Sequence, residues 1–262
     1  MMTEVNEAAW ATETQSTPRR LRVAIDTLLL LPINHIEVAG IEYARQIEKS
    51  AIVATSHQTG LDVPLAVKAL GNDMDLVVTD QSTHRYVQEL SGLIGMKIAG
   101  EDNFLSIAYQ FNGKKKQPAM FRVDDATLVV DALARGKSVV TAAYNPVEDG
   151  GRHERKPGYS AAYSSLLTGA PVLPVGIESA RTHALSRSPA AVVIGEPLVF
   201  SAEPMIASLQ DILNRRNTER LSKNDVAEIA EYTRMIRARG KQLFDVVLSL
   251  EKQAKQLLDS KG

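Results

Sequence analysis

The chain contains no cysteine among its 262 residues. That excludes disulfides, thiolate nucleophiles and sulfur-ligated metal ions, and it fits a reducing compartment. A dominant charge is lacking too. With 30 Lys and Arg against 31 Asp and Glu, no overall field draws the protein to nucleic acid or to an anionic membrane, and no nucleic-acid partner is expected. Long hydrophobic runs are missing as well. The most apolar segment, VAIDTLLLLPI from Val23 to Ile33, contains Asp26 and Pro32 and is about half the ~20 residues that a spanning helix needs. The stretch 1–18, MMTEVNEAAWATETQSTP, has no apolar core of signal-peptide length, so it reads as a flexible tail with no secretory signal.

Several nucleotide and hydrolase signatures are also absent. The GKS at Gly136 to Ser138 has Asp131 where a Walker loop needs a glycine, and neither G-x-G-x-x-G nor G-x-S-x-G occurs. His35, His84, His153 and His183 have no metal-ligand spacing and read as surface or hydrogen-bonded histidines. Asp124 and Asp125 read as acidic residues at a helix start rather than a cation site.

What is present is a chain with 44% hydrophobic and 23% charged residues, enough to bury a sizeable core. Short Val, Ile and Ala runs (AIVAT 51–55, MDLVVT 74–79, SVVTAAY 138–144, PVLPVGI 171–177, AAVVIG 190–195) alternate with helical patterns. LDVPLAVKAL, DATLVVDALARG and SAAYSSLLTG are the clearest of these, the last two ending on a glycine. Strand, helix, strand repetition predicts an α/β domain over 19–200, a mostly parallel sheet flanked by helices. Residues 201–262 read as a helical C-terminal extension packed on the same domain. Ser222 and Asp225 predict a capping box, and Val226, Ile229, Ile236, Leu243, Phe244, Val247 and Leu250 a packing stripe. The segment 101–120, with three lysines after Asn112 and Gly113, reads as an exposed loop, either merely solvated or an anion-attracting lip. Residues 19–33, led by Arg19, Arg20 and Arg22, read either as a buried first helix or as a segment lying on a membrane surface.

The stretch that points to chemistry is SHQTGLD, Ser56 to Asp62, between a predicted strand and a predicted helix. A histidine in such a turn, with a carboxylate at the start of the next helix, can act as a general base whose second ring nitrogen the carboxylate holds. The substrate hydroxyl is then the nucleophile, as in acyl transfer from a thioester. The structural alternative is that Asp62 caps the helix, with Pro64 in its first turn, while His57 is a loop residue.

The surroundings resemble the glycerolipid acyltransferase family, whose lysophosphatidate acyltransferases carry an Asn-His-x-x-x-x-Asp signature. HIEVAGIEYARQIEKSAIVATSHQTGLDVPLAV is similar to the lead-in of that family, with Val38, Gly40 and Glu42 in a V-x-G-x-E element. LARGKSVV, KPGYSAAYSSLLTGAPVLPVGI and VVIGEPLVF resemble later elements in family order, so the likeness spans residues 35–200. It implies His57 as base, Asp62 as its orienting partner, and a fatty acyl group passing from acyl-CoA or acyl carrier protein to a lysophospholipid or glycerol phosphate. No metal or organic cofactor is implied. The expected location is cytoplasmic, peripheral on the inner face of a membrane.

The sequence departs from the family in two places. Ser56 replaces the asparagine, and the F-P-E-G-T-R block, implied to bind the acceptor phosphate, reads TAAYNPVEDGG without its glutamate and arginine. Arg122 in MFRVDD is similar in place to a second phosphate-binding block. Arg152, Arg155 and Lys156 are further cations from which a different anion site could be built. The expected substrate-binding set is therefore Ser56, Gln58, Gly60, Arg122, Arg152 and Lys156, with main-chain N–H groups from Gly60 to Val63 facing developing negative charge. Three alternatives stand beside the phosphate-acceptor reading: a non-catalytic lipid- or acyl-binding protein on the same fold, an acyltransferase with a non-phosphate acceptor, and a hydrolase using His57 to activate water.

Overall fold

A computed structural model of the chain describes residues 33–57, 61–78, 123–149, 152–179, 188–200, 211, 212, 215 and 222–260. The expected tail, the arginine-led segment as far as residue 32 and the lysine loop lie outside the described residues. Among the described residues these elements follow one another: β1 (Ile33–Ala39), α1 (Ile41–Arg45), β2 (Ile52–Thr55), α2 (Asp62–Leu70), β3 (Leu76–Val78), α3 (Val123–Ala134), β4 (Ser138–Ala142), β5 (Tyr144–Asp149), β6 (Arg152–Pro157), α4 (Ser160–Thr168), β7 (Val172–Ser179), β8 (Ser188–Ile194) and α5 (Lys223–Asp259).

The main sheet runs β1-β8-β7-β2-β4-β3, while β5 and β6 form a separate antiparallel hairpin. Every neighbouring pair in the main sheet is parallel except β7 with β8. The α/β class with a mostly parallel sheet is therefore as the sequence predicts. The reason lies in runs such as Ile52 to Thr55, buried at every position, which only a central strand covered on both faces can use. On one face Val53, Leu173, Val175 and Ile177 meet Leu65 and Leu70 of α2. On the other Ile52, Ala54 and Val139 meet Leu133 of α3, Leu166 of α4 and Val247 of α5. Each Val, Leu or Ile side chain among these taken out of water stabilises the fold by about 1.5–3 kcal/mol before conformational entropy is set against it.

Helix ends follow the sequence signals. Gly136 and Gly169 take φ of 77° and 71° just past α3 and α4, the left-handed geometry that halts a helix. Ser222 and Asp225 form the reciprocal capping box at the start of α5. Two expectations are corrected. Val226 is 56% exposed, because the buried stripe of α5 begins farther along at Tyr232. The segment INHIEVA, read only as a lead-in, is β1, an edge strand paired with β8 whose polar alternation hides it among loop-like residues.

The long helix α5 lies across β7 and β8, with Leu250 and Ala254 packed against Ala191 and Val193. It passes close over Gly176 of β7, where a Cβ would stand 2.3 Å from both the Glu251 nitrogen and the Leu250 carbonyl carbon. No side chain fits there. That contact sets where the C-terminal half of α5 delivers its residues.

Candidate active site

β2 is a central strand, and the connections that leave its carboxyl end and that of its neighbour β7 diverge. The chain passes from β2 through α2 to β3 on one side, and from β7 to β8 on the other. Such a divergence opens a crevice at the carboxyl edge of a sheet. His57 stands two residues beyond the last residue of β2, at this edge.

The approach to His57 is firmly fastened. The Ser56 N–H donates to the Val175 carbonyl oxygen at 3.0 Å, and the Ile177 N–H donates to Ser56 Oγ at 3.1 Å. Ser56 is fully buried. Its hydroxyl accepts from a β7 main-chain donor, a structural use that stands beside the expected substrate-binding one. On the other flank of β2, the Ala143 N–H donates to the Thr55 carbonyl oxygen at 2.8 Å, which brings the start of the hairpin alongside.

His57 itself is partly exposed, and its Nδ1 is buried without a hydrogen-bond partner. A buried polar atom left unpaired costs about 1–3 kcal/mol, so such atoms are uncommon in folded proteins. Asp62 is 2% exposed and is the first residue of α2, with Leu61 as the N-cap and no side-chain cap bond. Asp62 is therefore not the N-cap residue itself, and Pro64 sits in the first turn, where it forfeits no intrahelical bond. The bond from Nδ1 to the Asp62 carboxylate, expected from the sequence, is not formed in this structure.

Tyr144, the first residue of β5, was not singled out by its sequence and lies fully buried beside this turn. Its hydroxyl donates to Oε1 of Glu251, and a main-chain hydrogen bond from His57 reaches the same hydroxyl. Arg155 of β6 donates from Nη1 to Oε2 of Glu251 at 2.6 Å, and its guanidinium lies 5.4 Å from the centroid of the Tyr144 ring. Phe244 of α5 meets the same ring edge-on, with centroids 5.6 Å apart. Burial, then the hydrogen bond and charge of Glu251, push the Tyr144 hydroxyl well above the ordinary tyrosine range, so it remains a donor. Glu251 is 5% exposed and uses both oxygens, as a buried carboxylate must. Its sequence signal is faint but real: it falls on the apolar stripe of α5, between Val247, Leu250 and Ala254.

The remaining predicted residues divide by place. Lys156 is exposed on β6, in register with Asn145; strand alternation turns it to the opposite face of the hairpin from Arg155. Arg152 sits at the far end of β6, paired with Asp149. Gln58, Gly60 and Arg122 lie outside the described residues. Among the described residues no group of three or more His, Asp or Glu is placed to hold a metal ion, and no helix is long and apolar enough to cross a membrane. No protein-family model and no curated protein sequence matches this chain.

Proposed function

We propose that this chain is an O-acyltransferase that moves a fatty acyl group from a thioester, acyl-CoA or acyl carrier protein, to the hydroxyl of a lysophospholipid or related lipid alcohol. The observation that carries the reading is the placement of His57: a partly exposed imidazole at the carboxyl edge of a central strand, with one ring nitrogen buried and unpartnered. The resemblance of SHQTGLD and its flanks to the glycerolipid acyltransferases supplies the reaction class. The fold suits such an enzyme, with a rigid sheet holding the base at its carboxyl edge, where open α/β sheets bind their ligands.

In this reaction His57 takes the proton of the acceptor hydroxyl as its oxygen attacks the thioester carbonyl carbon. The tetrahedral oxyanion then expels the thiolate, breaking the C–S bond, and the imidazolium returns the proton to sulfur. The products are an ester and a free thiol. Asp62 would orient the imidazole and steady its transient positive charge once its carboxylate takes up the Nδ1 bond that is not formed in this structure. No cofactor takes part in these steps, the thioester being a co-substrate.

One observation bears on the acceptor. Arg155, beside the altered third block, is engaged with Glu251, so it is not offered to a phosphate. That favours an acceptor whose recognition does not depend on Arg155. The same fact supports a second reading, a lipid- or acyl-binding protein without turnover. Incubation with labelled acyl-CoA and a panel of lysolipids and neutral lipid alcohols, read by mass spectrometry, separates the readings. Transfer that disappears in His57→Ala supports the enzyme; acyl-CoA binding with no ester and no free acid supports the binder, and free acid alone indicates a hydrolase. Residence on the inner face of a membrane belongs to the same proposal and is tested by flotation with anionic vesicles.

A further inference from the structure

We propose that Tyr144 and Glu251 are positioning residues for His57, so that the C-terminal helix completes the site from nearly two hundred residues away in the chain. The inference rests on the reading of His57 as the base. Three contacts carry it. The Tyr144 hydroxyl receives a main-chain hydrogen bond from His57 while donating to Glu251, which places one buried hydroxyl between the turn and the helix. The neighbouring Ala143 N–H donates to the Thr55 carbonyl oxygen at 2.8 Å, tying the same stretch of chain to the end of β2 independently of any side chain. Arg155 holds the second oxygen of Glu251 at 2.6 Å, so the carboxylate is anchored from the hairpin as well.

The geometry is built for holding rather than for binding. Tyr144 is fully buried and Glu251 is 5% exposed, so neither touches a substrate. A main-chain donor at the histidine itself fixes the backbone from which the imidazole projects. Small displacements of a base are costly, on the order of a hundredfold in rate for about 1 Å. Arg155 is the outer member of the chain, its side chain 39% exposed, and ties the hairpin to the same anchor.

Tyr144→Phe is the direct test, because it keeps the ring against Phe244 and Arg155 and deletes only the hydroxyl. The expected result is a folded protein with kcat lowered about ten- to a hundredfold and an unchanged KM for the thioester. The ring signals of His57, assigned by their loss in His57→Ala, are expected to move and to titrate along a displaced curve. Glu251→Gln, which keeps an acceptor oxygen for the tyrosine, should retain more activity than Glu251→Ala. If folded Tyr144→Phe matches the wild type in both kcat and the His57 titration, the inference is overturned. If the wild-type protein transfers no acyl group at all, the enzyme reading falls while the His57 titration still decides this one: a displaced curve upholds it and an identical curve ends it. If Tyr144→Phe does not fold, the comparison of Glu251→Gln with Glu251→Ala takes its place by the same two readouts, and equal values for the pair overturn the inference.

Discussion

Gly176 of β7 lies directly beneath Glu251 of α5, so close that a Cβ on the glycine would meet the glutamate nitrogen at 2.3 Å. Main chain against main chain leaves no room for a side chain to yield. The contact therefore decides both the seating of the helix and the reach of the Glu251 carboxylate toward Tyr144.

Gly176→Ala should accordingly lift α5 from the sheet. Overpacking of this kind costs about 1–3 kcal/mol or more, and here rigid backbone on the opposing side favours the upper end. Urea denaturation should show the loss as a lower midpoint. An unchanged midpoint would contradict the packing described.

Ser56→Ala separates a structural serine from a ligand-binding one. The substitution leaves the buried Ile177 N–H without its acceptor, a cost of about 1–3 kcal/mol. Stability should fall by that amount, while thioester KM per folded molecule stays as in the wild type. A raised KM with full stability would place Ser56 in the substrate site instead.

Asp62→Asn addresses the orientation of the base. Removing the carboxylate should lower kcat about a hundredfold or more with little change in KM, since general-base catalysis and its support contribute on that scale. The measurement is steady-state transfer kinetics beside His57→Ala. Wild-type kcat in folded Asp62→Asn would leave Asp62 with no part in the reaction.

Asp75, just before β3, gives a pH prediction. Burial raises its pKa above the ordinary value, and nearby Lys137 opposes this only in part; its Oδ1 is buried without a hydrogen-bond partner. A folded-state pKa above the unfolded one means that the protonated acid favours the fold. The contribution is fully present below the unfolded value, near pH 4, and is lost as pH rises through the folded pKa. Asp75→Asn should therefore raise the melting temperature at pH 7, and the advantage should shrink toward pH 3. Melting curves across that range check the sign, and a variant less stable than wild type at pH 7 would refute it.

The runs that became β2, β3, β4, β7 and β8 were legible because a strand covered on both faces must be apolar along its whole length. The capping box and the glycine stops were legible because they are local, each closing its own hydrogen bonds within a few residues. β1 and the β5–β6 hairpin were not. INHIEVA has an edge position and YNPVED and RHERKP form a two-stranded arm, so neither needs a continuous apolar run, and their strand character comes from pairing with distant or antiparallel partners. His57 and Asp62 stood out because they share one short turn. Tyr144 and Glu251 did not, because 106 residues of chain lie between them and the place of Glu251 on the apolar stripe of α5 does not by itself name its partner.

The order of residues alone determined that this protein has an α/β core, where its central strands and main helices fall, and that a histidine stands in the turn after a buried strand. Local periodicity and turn chemistry suffice for that, since each depends on neighbours along the chain. Only the tertiary structure decided the antiparallel seam between β7 and β8, the burial of Ser56, and the meeting of Arg155, Glu251 and Tyr144 behind His57. Those outcomes depend on which surfaces come within a few ångströms once the sheet is assembled and α5 crosses it at a glycine.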